Sequence, residues 1–334
     1  MSASIGHRRN RLLLGLLKLS VAAVLIWILA EQRMINPSLI SKVARDPATV
    51  VSITLLLWLA FSLSAWRWRL LLSLHGVLHT WRELFRIVIA ALFLNNVLPA
   101  GGDAYRIAFV LKADAGHKAS AVLSIIVDRV MGLYALMIIA SAFILTEWQV
   151  VSLHPPLLVF SVFILAATMT LPIFSYFLDR ALKSNALHLI FQKFSITRPL
   201  HKLLVLLGSS FTHYRKAPLT ILVALVISIV IHCLLLLGFV LLSNAIDLTL
   251  ITMQLLSLGA TLGWLSNLIP ITPGGIGVGE AVFDQICRWG NKNAATGYAT
   301  AFLAHRSLVI AATLPGLVLL FLGNLKTSTK PAGN

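Results

Sequence analysis

Residues 267–284 read NLIPITPGGIGVGEAVFD, and they lie in a chain that is 58% hydrophobic and only 11% charged. No uninterrupted membrane helix is written this way. Pro270 and Pro273 remove backbone donors, and Gly274, Gly275 and Gly277 lower helix propensity where the chain must turn. Irregular backbone at membrane depth is tolerated only inside protein or beside a wet cavity. A break of this kind therefore demands a protein shell around it. Glu280 and Asp284 are four apart, so a helix after the break puts both acids on one face.

The rest of the chain supplies that shell. Soluble domains carry about 25% charged residues, more than twice the share found here. Several apolar runs exceed the roughly 20 residues needed to cross a bilayer. The expected fold is an all-α polytopic membrane protein, residues 1–334 forming one transmembrane domain. No stretch outside the spans is long enough for a separate soluble catalytic domain. The net charge of +16 would suggest nucleic acid in a soluble protein. In a membrane protein, basic residues set topology and meet anionic headgroups.

Six full spans are predicted: Leu12–Ala30, Thr49–Leu72, Ala119–Thr146, Leu157–Phe177, Leu219–Ala245 and Thr296–Leu322. The first follows Arg8, Arg9 and Arg11 and lacks a small-residue cleavage pattern, so it reads as a retained span with a cytoplasmic N-terminus. Lys18 within it reads as a snorkelling side chain. Trp66-Arg67-Trp68-Arg69 reads as an interfacial anchor at the inner end of the second span, with headgroup binding by its arginines the alternative. Residues 147–156 read as an external turn. Residues 178–216 hold Arg180, Lys183, Lys193, Arg198, Lys202, Arg215 and Lys216 against Asp179 alone. That mixture of charged and apolar residues suits an interfacial cytoplasmic segment bound to anionic lipid. Lys326 and Lys330 place the C-terminus inside, and most of the 27 Lys and Arg fall on that side.

Two hairpins complete the chain. The apolar run before Pro99 is too short to span, and after Gly101-Gly102 a second short run, Ala104–Leu111, ends at Lys112. This hairpin enters from the cytoplasm and breaks at Pro99–Asp103. The other comprises Leu250–Leu268, the PGG break and Ile276–Trp289, and enters from outside. If both arms of each run all the way across, the count becomes eight helices. NNVLPAGGD (Asn95–Asp103) and NLIPITPGG (Asn267–Gly275) share an Asn, an apolar pair, a Pro and a double Gly. This reads as an inverted repeat, and paired broken helices point to a transporter site at the midplane.

At each break a helix starts with free N–H groups and its positive dipole end facing the protein centre. Such ends bind phosphate or carboxylate. Asp103 is either an N-cap or a site residue, and Arg106, one turn on, can pair with it or reach a phosphate. Asp103, Arg106, Asp128, Arg129, Glu280, Asp284 and Arg306 all lie in or near apolar segments. Each costs at least ~2.5–3.5 kcal/mol near the bilayer centre unless paired or hydrated. Together they predict a polar cavity, although Arg306 can equally serve only to neutralise Glu280. Asn95, Asn96 and Asn267 are expected to satisfy broken backbone, with substrate contact the alternative for each; Asn96 is kept among the candidate binding residues. His232 and His305 read as hydrogen-bonded core histidines, and Cys233 and Cys287 as ordinary membrane thiols. No GxSxG, P-loop or HExxH is present. The run Gly274-Gly275-Ile276-Gly277-Val278-Gly279 follows no strand, which excludes a dinucleotide loop.

These residues together resemble the flippase-like family typified by the membrane half of lysylphosphatidylglycerol synthase. The features are Asn96-x-x-Pro99 with Gly101-Gly102-Asp103-x-x-Arg106, then Asp128-Arg129, then Pro270-x-x-Pro273-Gly274-Gly275-x-Gly277-x-x-Glu280. The likeness runs over nearly the whole chain. It implies a bacterial or archaeal cytoplasmic-membrane protein that moves lipids between leaflets. In two-domain members the synthase activity lies in a separate cytoplasmic domain that these 334 residues do not include. Some members carry a basic residue in the first break, where Ala100 and Gly101 stand here.

The function expected is therefore a lipid flippase, its substrate a phospholipid or polyprenyl lipid. Asn96, Gly102, Asp103, Arg106, Asp128, Arg129, Pro273, Gly274, Gly275, Glu280, Asp284 and Arg306 are the candidate binding residues. No catalytic residue, metal or cofactor is assigned. The other readings are a membrane-embedded lipid-modifying transferase and an accessory subunit of a lipid synthase.

Overall fold

The structure is a computed structural model describing residues 41–43, 45–97, 100–113, 118–182, 214, 216–246, 248, 251–268, 272, 275–291 and 298–322. The expected first span, most of the basic segment 178–216, and Pro99, Pro270, Pro273 and Gly274 lie outside the described residues.

Ten helices are described. They are α1 (Pro47–Ser73), α2 (Trp81–Val97), α3 (Gly101–Ala113), α4 (Lys118–Thr146) and α5 (Trp148–Leu153), followed by α6 (Pro155–Leu182), α7 (Pro218–Ala245), α8 (Met253–Ser266), α9 (Val278–Gly290) and α10 (Tyr298–Leu322). Five of them, α1, α4, α6, α7 and α10, are long and apolar enough to cross a membrane. The protein is thus all-α and polytopic among its described residues. The expected external turn 147–156 contains the short helix α5.

Local chemistry fixes several helix starts. Asp46 caps α1 by accepting from Thr49 N at 3.2 Å, and Pro47 follows it in the first turn. The hydrogen bonds from Thr49 hold the Asp46 carboxyl below its usual range. Thr252 caps α8 by accepting from Leu255 N at 3.2 Å.

The other four long elements are too short to span. α2 has 17 residues, α8 has 14, and α3 and α9 have 13 each. At 1.5 Å per residue these reach roughly 20–25 Å, against a hydrocarbon core of about 30 Å. α2 packs on α3 and α8 on α9, giving two helical hairpins.

The packing repeats between two units, α1–α4 and α7–α10. In each, the helix after the hairpin packs on its own hairpin's second arm: α4 on α3, and α10 on α9. Each also packs on the first arm of the other hairpin: α4 on α8, and α10 on α2. α1 and α7 lie side by side in the most extensive contact of the fold. Exchanging the units maps these contacts onto one another, as a two-fold relation requires. The centre of the second unit is aromatic. Phe239, Phe283 and Phe302 are fully or nearly fully buried, with Phe239 lying 5.1 Å from Phe283 and 5.9 Å from Phe302, centroid to centroid.

Candidate functional site

At the first break the chain leaves α2, turns and starts α3. Asn95 Oδ1 accepts from Gly102 N at 2.9 Å, so the last turn of one arm satisfies an orphan donor in the first turn of the other. This is the backbone-satisfying role expected of Asn95. It demands close approach: a Cβ on Gly102 would overlap the Ala91 carbonyl. Asn96 turns elsewhere, its Nδ2 donating to Thr313 Oγ1 of α10 at 3.4 Å. Arg129 of α4 donates twice to Asp103 Oδ1, at 2.9 and 2.7 Å. This pair is open, with side-chain exposures of 49% for Arg129 and 29% for Asp103.

Arg106 does not pair with Asp103, one of the two options left by sequence. Its Nη2 donates to Asp128 Oδ2 at 2.9 Å. Helical geometry explains the choice: Asp128 and Arg129 are neighbours on α4 and point to different sides of it. Asp128 faces inward and Arg129 faces the break. Asp128 also receives Arg67 Nε at 2.7 Å, while Arg67 Nη1 donates to Ser228 Oγ at 2.8 Å. Trp68 Nε1 donates to Ser124 Oγ at 3.1 Å. The motif Trp66-Arg67-Trp68-Arg69 is thus only half the anchor expected. Trp66 and Arg69 are exposed, whereas Arg67 and Trp68 are buried and tie α1 to α4 and α7.

The second break is tighter. Glu280 Oε2 accepts from Gly277 N at 2.8 Å, reaching back over the first turn of α9. Arg306 of α10 donates through Nε to Glu280 Oε1 at 2.7 Å. Its Nη2 reaches Gly275 O at 3.3 Å and Asn267 Oδ1 at 3.4 Å. One guanidinium therefore joins the end of α8, the loop and α9. Glu280 is completely buried, and the Arg306 side chain is 15% exposed. Asp284 is also completely buried, on the face it shares with Glu280. It accepts from Arg288 Nε and from Ala299 N, so it fastens α9 to the start of α10.

The two breaks obey one register. A single residue offset carries α3 onto α9, Asp103 onto Glu280 and Arg129 onto Arg306. Each carboxylate meets an arginine 26 residues further on. The same offset carries Gly102 onto Gly279, and both glycines pack against the Asn of the preceding arm. It also carries Ala100 onto Gly277, the residues whose carbonyls accept the first helical bond, from Ala104 N and Ala281 N. The GG-to-GG register suggested by sequence is therefore shifted. Gly275 belongs to the longer second loop, not to the start of α9.

Ala100 has φ +60° where Gly277 has φ +87°. Left-handed backbone costs a non-glycine residue about 1–2 kcal/mol. Allowing for glycine's greater entropy when unfolded, Ala100→Gly is expected to stabilise the protein by about 0.5–1 kcal/mol. Gly277→Ala is expected to destabilise it. Thermal melts in detergent would check both; equal shifts in one direction would contradict the shared conformation.

His305 is buried and His232 partly buried. His232 Nε2 is 2.9 Å from the Gly132 carbonyl, and His305 lies 5.2 Å from Phe239 and 5.8 Å from Trp264, between rings. Cys233 is exposed and Cys287 buried, both as free thiols. Among the described residues no group of His, Cys, Asp and Glu is placed to hold a metal ion. An open apolar groove of about 480 Å³ runs between α9 and α6, with Val278, Val282, Ile286 and Trp289 on one wall and Leu157 and Phe160 on the other. From Val278 to Trp289 it follows α9 for roughly 16 Å, about the depth of one leaflet.

Sequence reasoning missed Arg67 and Trp68 as members of the first cluster. The constant spacing from Asp103 to Arg129 and from Glu280 to Arg306 was a usable signal for the register of the two units.

A fold of membrane-crossing helices around two broken hairpins, each closed by a carboxylate–arginine pair, defines a polytopic membrane protein with two related units. The family model described as the lysylphosphatidylglycerol synthase transmembrane region matches residues 15–316, and the chain belongs to that family. Comparison with curated proteins and with solved structures found no match.

Proposed function

We propose that the protein moves a phosphate-bearing lipid between the leaflets of a bacterial or archaeal cytoplasmic membrane, with both termini in the cytoplasm. Family membership supports a membrane protein connected with lipid synthesis. The observation that carries transport is the pair of ion-pair-closed breaks in two exchangeable units, one open and one buried. Two related closures, one exposed and one buried, fit alternating access between two repeated units.

In this reading the lipid phosphate meets the N-terminus of α3 and Arg129. The headgroup passes between the units as Asp103–Arg129 and Glu280–Arg306 close in turn. The tails stay in hydrocarbon, and the groove along α9 takes one of them. Asp128 and Arg106 hold the first hairpin to its scaffold, and Asp284 holds the second. Gly102 and Gly275 give the backbone room at the breaks, and Pro273 and Gly274 of the second break are read as substrate-binding residues from sequence alone.

The test is leaflet exchange in proteoliposomes, with phosphatidylglycerol, an aminoacylated form, phosphatidylethanolamine and a polyprenyl phosphate, with and without an imposed proton gradient. Wild type is expected to move at least one, and both Asp103→Asn and Glu280→Gln to abolish movement while remaining folded. Conversion of a lipid to a new chemical species would favour a transferase. Folded protein that moves none, with or without the gradient, would count against transport.

A further inference from the structure

The two breaks differ in charge, and that difference bears on which headgroup the protein takes; the argument rests on the lipid reading above. Around the first break, the described residues set three guanidiniums, Arg67, Arg106 and Arg129, against two carboxylates, Asp103 and Asp128. Around the second, Arg306 meets Glu280 and Arg288 meets Asp284, so the charges cancel.

The register shared by the two units sharpens the contrast. The offset that carries Arg129 onto Arg306 also carries Arg106 onto Phe283 and Asp128 onto His305. Phe283 and His305 belong to the aromatic centre around Phe239. The second unit therefore forms the same helix arrangement with no charge at the positions of Arg106 and Asp128, and its buried carboxylates, Glu280 and Asp284, are each matched by one arginine. Surplus positive charge is not a requirement of the fold.

The surplus is also poorly spent within the protein. Arg106 is 5% exposed, its guanidinium lies 4.1 Å above the Trp68 ring, and its Nε has no hydrogen-bond partner among the described residues. Arg67 and Arg106 share the single carboxylate of Asp128. A charge held in a dry, weakly polarisable medium acts over several ångströms, because neither water nor salt screens it there. The exposed part of the cluster is the Asp103–Arg129 pair, beside the N-terminus of α3.

We infer that the first break is a seat for a headgroup of net negative charge, a phosphodiester with no compensating amine, and that the second break has no such preference. Zwitterionic and cationic headgroups are selected against at the first break by the same surplus. The selection comes from the field of buried arginines rather than from a basic residue in the loop, where Ala100 and Gly101 stand.

The test is calorimetric binding to the purified full-length protein in uncharged detergent. The ligands are short-chain phosphatidylglycerol, short-chain phosphatidylcholine and, as a tail-free anion, glycerol phosphate. Phosphatidylglycerol is expected to bind about tenfold tighter than phosphatidylcholine, the scale of one unit charge acting at roughly 10 Å through a partly screened medium. Arg67→Gln leaves the Arg106–Asp128 pair in place and removes the surplus, so the preference is expected to vanish. Asp103→Asn adds to the surplus, so the preference is expected to widen. The second variant keeps the test open if the first fails to fold, because the sign of its effect is fixed. Equal affinity for the two lipids, or an unchanged or narrowed preference in Asp103→Asn, would overturn charge selection and leave lipid binding intact. Binding of neither lipid would overturn the lipid reading and this inference together. Glycerol phosphate binding as tightly as the lipid would keep the anion seat and overturn a lipid as its occupant.

Discussion

Asp128→Asn is expected to leave little folded protein. The carboxylate is 2% exposed and is the shared counter-ion of two buried guanidiniums, Arg67 and Arg106. Removing one partner of a buried ion pair costs about 3–5 kcal/mol, since the charge left behind has neither water nor partner. That is a large part of a whole protein's stability of about 5–15 kcal/mol. The loss here is compounded, because the triad joins α1, α3 and α4 and reaches α7 through Ser228. The measurement is the yield of monodisperse protein by size-exclusion chromatography in detergent. Adding Arg106→Gln restores the charge balance of the triad and is expected to recover part of that yield. A single Asp128→Asn variant that purifies and melts like wild type would mean that water reaches the cluster and screens it.

Arg306→Met is the second large effect. It removes one side chain, yet it frees three groups at once: the Glu280 carboxylate, the Gly275 carbonyl and Asn267 Oδ1. Among the described residues, Glu280 is left as a fully buried carboxylate with only the Gly277 amide to answer it. The expected cost is again about 3–5 kcal/mol. Glu280→Gln in the same chain removes the stranded charge, so the double variant is expected to melt well above Arg306→Met alone. If the two single losses simply add, the pair is not coupled and the second break is not closed by it. Arg306 as mere neutraliser of Glu280 was one option left by sequence; its reach to Asn267 and Gly275 gives it the additional task of closing the loop.

The helices were legible because the bilayer imposes a length. Runs such as Leu219–Ala245 cannot end far from where their apolar residues end, and α7 spans Pro218–Ala245. The hairpins were legible because proline and glycine stand where an apolar run is too short to cross. Arg67 was not legible as an interior residue. Helical neighbours 66–69 cover the full circumference, and sequence does not say which quarter faces α4. The partner of Arg106 was hidden for a similar reason: Asp103 is near in sequence, but Asp128 is brought close only when α3 packs on α4.

The repeat shows the same division. Asparagine, proline and double glycine announced two related breaks, and both asparagines do lie against glycines of the following arm. Matching glycine pairs nevertheless gave the wrong register, because the second loop is longer and Gly275 sits within it. The true register follows the first turns of α3 and α9, where Gly102 and Gly279 must let a neighbouring side chain or carbonyl come close.

Sequence alone determined that this chain lives in a membrane and where it breaks, because hydrophobic length and backbone chemistry are local properties. Tertiary structure alone decided which arginine answers which acid, which break is open, and that one unit keeps a surplus charge while the other does not. Those outcomes depend on which faces of α3, α4, α9 and α10 meet, and ion pairs form only between the charges that packing brings within a few ångströms.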